Sequence, residues 1–295
     1  MSSLNGFRIA ANTIRYIGHD LRRPECVLAC PNGDFLVPDL RGTVMRIRPD
    51  GCQVLLGDSG GQPNGLAIDA DGNIVVANIR HGRVSLLSQD GAESVLFDHF
   101  EDKPLGAANF VFTDRDGILW LTVSTRLPSV TEAIEGKVAD GCIFQVRDGK
   151  LLLMADGLYF ANELRIDERG EWLYVAETTA GRISRAPILA DGSLGIFRPF
   201  GPSPVYEGAY VDGIAFDQEG NLWITELSRN ALLVLTPKEC LFPIFEDPEG
   251  KTLSKPTSIA FAGPDLRTVI VGSLKMQQLA TFRSPVPGQP MHHWT

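Results

Sequence analysis

The chain contains no run of 18 apolar residues, so no membrane-spanning helix is expected. Cysteine is scarce: Cys26, Cys30, Cys52, Cys142 and Cys240 are all there is. Their number is odd, and most sit in or beside apolar strand-like stretches. They read as small core residues in a reducing compartment, not as a disulfide frame. Cys26 and Cys30 are not spaced as a Cys-x-x-Cys pair and have no histidine nearby, which argues against zinc there. Met1 to Arg8 lacks the basic-then-apolar pattern of a secretory signal, and the expected location is the cytoplasm. Basic residues are outnumbered, 27 Lys and Arg against 36 Asp and Glu, for a net charge of −9 without a dense cationic cluster. Polyanions are repelled by such a surface, so nucleic acid is not an expected partner, while a metal cation is attracted. Histidine is also rare. His292 and His293 fall in a tail expected to be loose, and His99 follows an outer strand. His81 alone is placed to reach a pocket rim.

What the chain does have is a repeat. A short phrase returns six times: Pro24-Glu25-Cys26-Val27, Pro63-Asn64-Gly65-Leu66, Ala108-Asn109-Phe110-Val111, Ala161-Asn162-Glu163-Leu164, Val211-Asp212-Gly213-Ile214 and Pro256-Thr257-Ser258-Ile259. Four of these apolar openings run into Asp-x-x-Gly, at Asp69, Asp114, Asp167 and Asp217, and a second apolar run follows. Asn-Gly and Asp-Gly pairs such as Asp71-Gly72 and Asp90-Gly91 close hairpins between the runs. Strand–turn–strand units repeating every ~40–50 residues are the signature of a β-propeller. The predicted fold is therefore all-β: one six-bladed propeller domain over residues 1–295, with four-stranded antiparallel blades around a central channel. The blades start near 25, 64, 109, 162, 212 and 257. The last blade shows about three strands, and Phe7 to Gly18 is expected to supply the fourth, closing the ring by pairing the chain ends. Residues 125–140 exceed the matching loops and contain a helix-compatible Thr131 to Val138, a candidate flap over one face.

Equivalent positions of a propeller face one point on its axis. The second residues of the six phrases, Glu25, Asn64, Asn109, Asn162, Asp212 and Thr257, are then predicted to form a ring. One Asn or Asp at a strand start is ordinarily a turn residue. Six polar residues at equivalent positions need a common partner, either ordered water or a cation. All six are oxygen donors, which suits hard divalent ions. The absence of Cys and His from the ring disfavours a site selected for zinc or copper. A second set, Asp39, Asn78, Ser124, Glu177, Glu226 and Ser273, ends the second strand of each blade and is expected near the ring. It is read as orienting ligands, touching substrate or simply opening solvated loops.

Arg23-Pro24-Glu25, Gly157-Leu158-Tyr159-Phe160-Ala161-Asn162 and Val211-Asp212-Gly213-Ile214-Ala215-Phe216-Asp217 resemble the senescence marker protein/gluconolactonase (regucalcin-like) family of metal-dependent lactonases. A more distant similarity extends to diisopropyl fluorophosphatase and the paraoxonases. The resemblance spans about Arg23 to Val271. It implies Glu25, Asn162 and Asp212 as ligands of one divalent ion, calcium first, with magnesium, manganese, zinc or iron as alternatives. It implies Asn109 as a substrate-binding and catalytic residue, and Asn64 and His81 lie in stretches that also resemble bacterial gluconolactonases. The chain departs from the family pattern at Ala107, where some members carry a sugar-binding Arg, at Phe110 and at Glu163.

The expected function is therefore a divalent-metal-dependent hydrolase of ester bonds acting on a small lactone. The metal polarises the carbonyl, Asp212 takes a proton from the attacking water and Asn109 orients the substrate. Phe110 suggests a less polar substrate, and Asn64, His81 and Glu177 complete the expected substrate contacts. The alternatives are a phosphotriesterase-like enzyme, a metal-free strictosidine synthase-like enzyme suggested by Tyr174-Val175-Ala176-Glu177-Thr178, and a non-catalytic calcium-binding propeller.

Overall fold

The computed structural model describes residues 3–294. Six four-stranded antiparallel sheets follow one another along the chain. The first blade comprises Leu28–Ala29, Phe35–Pro38, Val44–Ile47 and Gln53–Leu56. The innermost strands of the next four are Pro63–Ile68, Ala108–Thr113, Ala161–Ile166 and Val211–Phe216. The sixth is built from Pro256–Ala262, Thr268–Ser273 and Leu279–Arg283, and its outer strand is Arg15–Ile17 from the other end of the chain. Arg15 pairs with Thr281 and Ile17 with Leu279, so the expected closure by the two chain ends is present. It covers the edge of Leu279–Arg283 that would otherwise be unpaired.

The turns explain why the Asp-x-x-Gly phrase recurs. Asp114 Oδ1 accepts the backbone N–H groups of Asp116 and Ile118, at 3.0 and 2.9 Å, while Oδ2 accepts Trp120 Nε1 at 2.8 Å. Asp217 repeats the arrangement with Glu219, Asn221 and Trp223. One carboxylate thus satisfies a tight turn and pins an indole that is itself core: Trp120 and Trp223 are fully buried. The core lies between blades, where side chains of adjacent sheets interlock, as Trp223 does with Phe261 and Phe282.

Two local expectations shift, and one outer strand is short. The helix in 125–140 runs Val130–Glu135, one residue earlier than predicted and shorter, because Ser129 caps it by accepting from Glu132 N and Gly136 ends it. Asp140 ties the two ends of this loop together through Thr125 Oγ1 and Arg126 N. The outer strand of the fourth blade is only Arg198–Pro199, and Ile196 is 77% exposed. The C-terminal tail is docked instead of loose: His293 Nε2 and Trp294 Nε1 both meet the Ala29 carbonyl, at 2.9 and 2.8 Å.

Candidate functional site

Each ring residue after the first blade sits in a break in its strand's pairing. In the second blade Pro63 pairs with Asn78 and Leu66 with Val76, so Asn64 and Gly65 together oppose one residue. The same two-against-one step places Asn162-Glu163, Asp212-Gly213 and Thr257-Ser258, and Asn109 alone is extra in the third blade. A bulge bends the strand and re-aims a side chain that regular alternation would direct elsewhere. The freed backbone donors are satisfied locally: Thr225 Oγ1 accepts Gly213 N at 2.7 Å and Thr122 Oγ1 accepts Phe110 N at 3.2 Å. The inner strands pack so closely here that a Cβ on Gly213 would lie 2.1 Å from Thr257 O, and one on Gly65 2.5 Å from Phe110 Cα.

All six ring residues are buried, none more than 4% exposed. Four of them are joined in two neighbouring pairs, Asn64 with Asn109 and Thr257 with Glu25. Asn64 Nδ2 donates to Asn109 Oδ1 at 3.1 Å and to Asn109 O at 3.0 Å. Thr257 Oγ1 donates to the Glu25 carbonyl at 2.6 Å, and Asn162 Nδ2 to Thr178 Oγ1 at 3.1 Å. Two oxygens are left over: Asn162 Oδ1 and Asp212 Oδ1 are buried without a hydrogen-bond partner. Burial pushes the Asp212 carboxyl well above the usual carboxylate range, and repulsion from Glu25 and Glu163 adds to it. Burial also raises Glu25, against the pull of the Arg23 guanidinium and the Asn64 amide. Among the described residues no three His, Cys, Asp or Glu side chains form a metal-holding group, so a cation site here has to recruit amide oxygen. Glu25, Asn162 and Asp212 fit that requirement. They offer two carboxylates that burial makes costly to ionise alone, and two unsatisfied oxygens that a hard cation would take up.

The second set does different work. Asp39 accepts Arg22 N and Arg41 N while pairing with the Arg41 guanidinium. Asn78 Oδ1 accepts Gln62 N and His81 N. Glu177 accepts Tyr159 N at 2.9 Å and Arg182 Nε at 2.8 Å, with Ser184 Oγ on the same carboxylate. Glu226 holds Tyr210 N, Ser228 N and Arg229 N. These side chains clasp the incoming loop to the outgoing turn, and each is buried. Glu177 is therefore engaged within its own blade and acts through the loop that precedes Asn162. His81 is exposed beside Gly61.

Phe110 lies beneath the ring and not at its mouth. With Phe112, Phe216 and Phe261 it lines a cavity of about 220 Å³ toward the far end of the channel, under the C-terminal tail. Between ring and cavity is an ion pair absent from the sequence reading. Arg165 Nη2 meets Glu163 Oε2 at 2.9 Å, and the guanidinium stands over the Phe110 ring at 4.9 Å. Burial lifts Glu163 to about 8 in spite of Arg165. Glu163 directly follows Asn162 and lies in the same bulge, which was the available signal.

The SMP-30/Gluconolactonase/LRE-like region model matches residues 88–275. A 6-deoxy-6-sulfogluconolactonase of Pseudomonas putida is 27% identical over 224 residues, 71% of this chain and 68% of that protein. Diisopropyl-fluorophosphatase of Loligo vulgaris is 23% identical over 215 residues, 70% of this chain and 67% of the relative. The solved structure of a gluconolactonase from Xanthomonas campestris superposes with a TM-score of 0.75 at 21% identity, covering 98% of this chain and 94% of that one. At that identity the likeness speaks to fold alone.

Proposed function

Because the chain belongs to the SMP-30/gluconolactonase/LRE-like family, we propose that it is a divalent-metal-dependent lactonase, opening a small cyclic ester to its hydroxy acid. One observation carries the reading: the unpartnered buried oxygens of Asn162 and Asp212 beside the desolvated Glu25 carboxylate. Glu25, Asn162 and Asp212 hold the ion, and an all-oxygen set favours calcium ahead of magnesium, manganese, zinc or iron. When bound, the ion supplies Lewis-acid polarisation of the ester carbonyl. Asp212 takes the proton of the attacking water on a carboxylate oxygen. Asn109 has its Oδ1 engaged by Asn64, which leaves Nδ2 to donate to the substrate and orient it. Burial of the ring excludes bulk water from that proton transfer. His81 contacts substrate at the rim, and Glu177 positions Tyr159 above it. The substrate is a small molecule, and the five free cysteines support a reducing, cytoplasmic setting.

The test is hydrolysis of a lactone panel by protein stripped with chelator and then given Ca²⁺, Mg²⁺, Mn²⁺, Zn²⁺ or Fe²⁺ in turn. Activity is expected to vanish and to return with one ion. Activity that survives stripping contradicts the metal reading and favours metal-free chemistry. The likeness to diisopropyl-fluorophosphatase puts a phosphotriester in the same panel; turnover of that compound alone would replace the lactone.

A further inference from the structure

Arg23 is a cation beside the ring with no role in the mechanism above. It immediately precedes the inner edge of the first blade in a left-handed conformation, φ 60°, which Phe160 and Lys255 share at the equivalent places of the fourth and sixth blades. The side chain is half-buried. Nη1 donates to Asn64 Oδ1 at 2.7 Å and to the Pro63 carbonyl at 3.4 Å. In the amide orientation that satisfies both groups, Gln62 Oε1 accepts from Nε at 3.3 Å and Nη2 at 3.0 Å. Four of the five guanidinium N–H bonds are thus directed at neutral oxygens of the second blade, which fix the plane of the group and leave one Nη2 donor. Asn64 is shared: its Oδ1 holds Arg23 while its Nδ2 holds Asn109. The guanidinium therefore stands one side chain away from the residue assigned to the substrate.

Its charge balance changes when the site is loaded. Glu25 and Asp212 are the acids whose fields reach Arg23. A divalent ion held by those two carboxylates neutralises them, and the guanidinium is left partly desolvated among neutral acceptors, a state that a charge-assisted bond to an anion relieves. A chain of net charge −9 has no general attraction for anions, so selectivity for one has to come from a local group such as this.

We propose that Arg23 sets the substrate class: it binds a negatively charged substituent on the lactone, so that the preferred substrates are anionic lactones. This deepens the lactonase reading and rests on it. The experiment uses the metal-loaded full chain and γ- and δ-lactones in matched pairs, one member carrying a carboxylate and the other the corresponding carboxamide. The wild-type protein prefers the carboxylate members. Arg23→Gln costs those members about 100-fold in kcat/KM, mainly through KM, and costs the carboxamides under tenfold, the scale of one charge-assisted hydrogen bond. Arg23→Lys recovers part of the preference. Calorimetric titration with the hydroxy-acid products gives a readout apart from turnover: the product bearing the extra carboxylate loses its affinity advantage in Arg23→Gln. Carboxamides turned over as well as carboxylates by the wild type overturn the proposal and leave the lactonase standing. An equal loss on both members, without rescue by Lys, assigns Arg23 to bracing Asn64 and also overturns it. Hydrolysis of no lactone at all removes the reading beneath it.

Discussion

Glu163 is a buried acid outside the proposed ligand set for which ionisation is costly. It is 2% exposed, holds Ile214 N at 3.2 Å and Arg165 at 2.9 Å, and feels the negative field of Glu25. Its folded pKa of about 8 lies above the ordinary 4.5. Between those values the folded state keeps a proton that the unfolded chain has released, so stability falls as pH rises across that window and levels off above it. Glu163→Gln is expected to flatten the decline in melting temperature measured from pH 5 to pH 8; an unchanged slope would show that the acid is already ionised at pH 5. The ring residues were legible from the sequence because their type recurs in register. Arg165 and the pairing of Glu163 were not, since they act through depth in the channel and through contacts from other blades, Phe110 and Ile214. Phe110 misled for the same reason: its neighbours place it in the core, away from the mouth.

The element that makes the site is the bulge. The sequence repeat located the strand starts, but periodicity alone carries no sign that two residues oppose one there. Glycine at 65 and 213 was the visible trace, and its cause is close strand approach: Phe110 and Thr257 backbone atoms occupy the space of a Cβ. Gly213→Ala is expected to cost ~1–3 kcal/mol, the usual range for overpacking, and to weaken metal binding by displacing Asp212 relative to Thr257. Denaturant melts and metal titration of the same variant check both effects; a loss of stability with unchanged metal affinity would separate the bulge from the site. The clasps at Asp39, Asn78, Glu177 and Glu226 show the opposite case. Their position near the ring was legible, and their task of binding loop N–H groups emerged only from their partners.

For the molecule as a whole, closure of the ring is what brings Glu25 to face Asp212 and Asn162. These residues lie in the first, fifth and fourth blades and share no local structure. The pairing of Arg15–Ile17 with Leu279–Arg283 fixes the last blade against the first, and the C-terminal tail adds a second seam through Ala29. Both ends of the chain thus serve the same geometry. The blade count, the turn chemistry and the closure by the N-terminal segment could be read in advance because they follow from repeat spacing and hairpin residues. The depth of the channel and the docking of the tail depend on contacts among blades, which no single repeat encodes. We infer that this closed ring holds one divalent ion through Glu25, Asn162 and Asp212. The most direct test is calorimetric titration of chelator-stripped protein with calcium, wild type beside Asp212→Asn. One site per chain is expected in the wild type and at least a tenfold weaker one in the variant, about the loss of one charge-assisted contact. Equal calcium affinity in the two proteins, or no binding in either with any of the five ions, would contradict it.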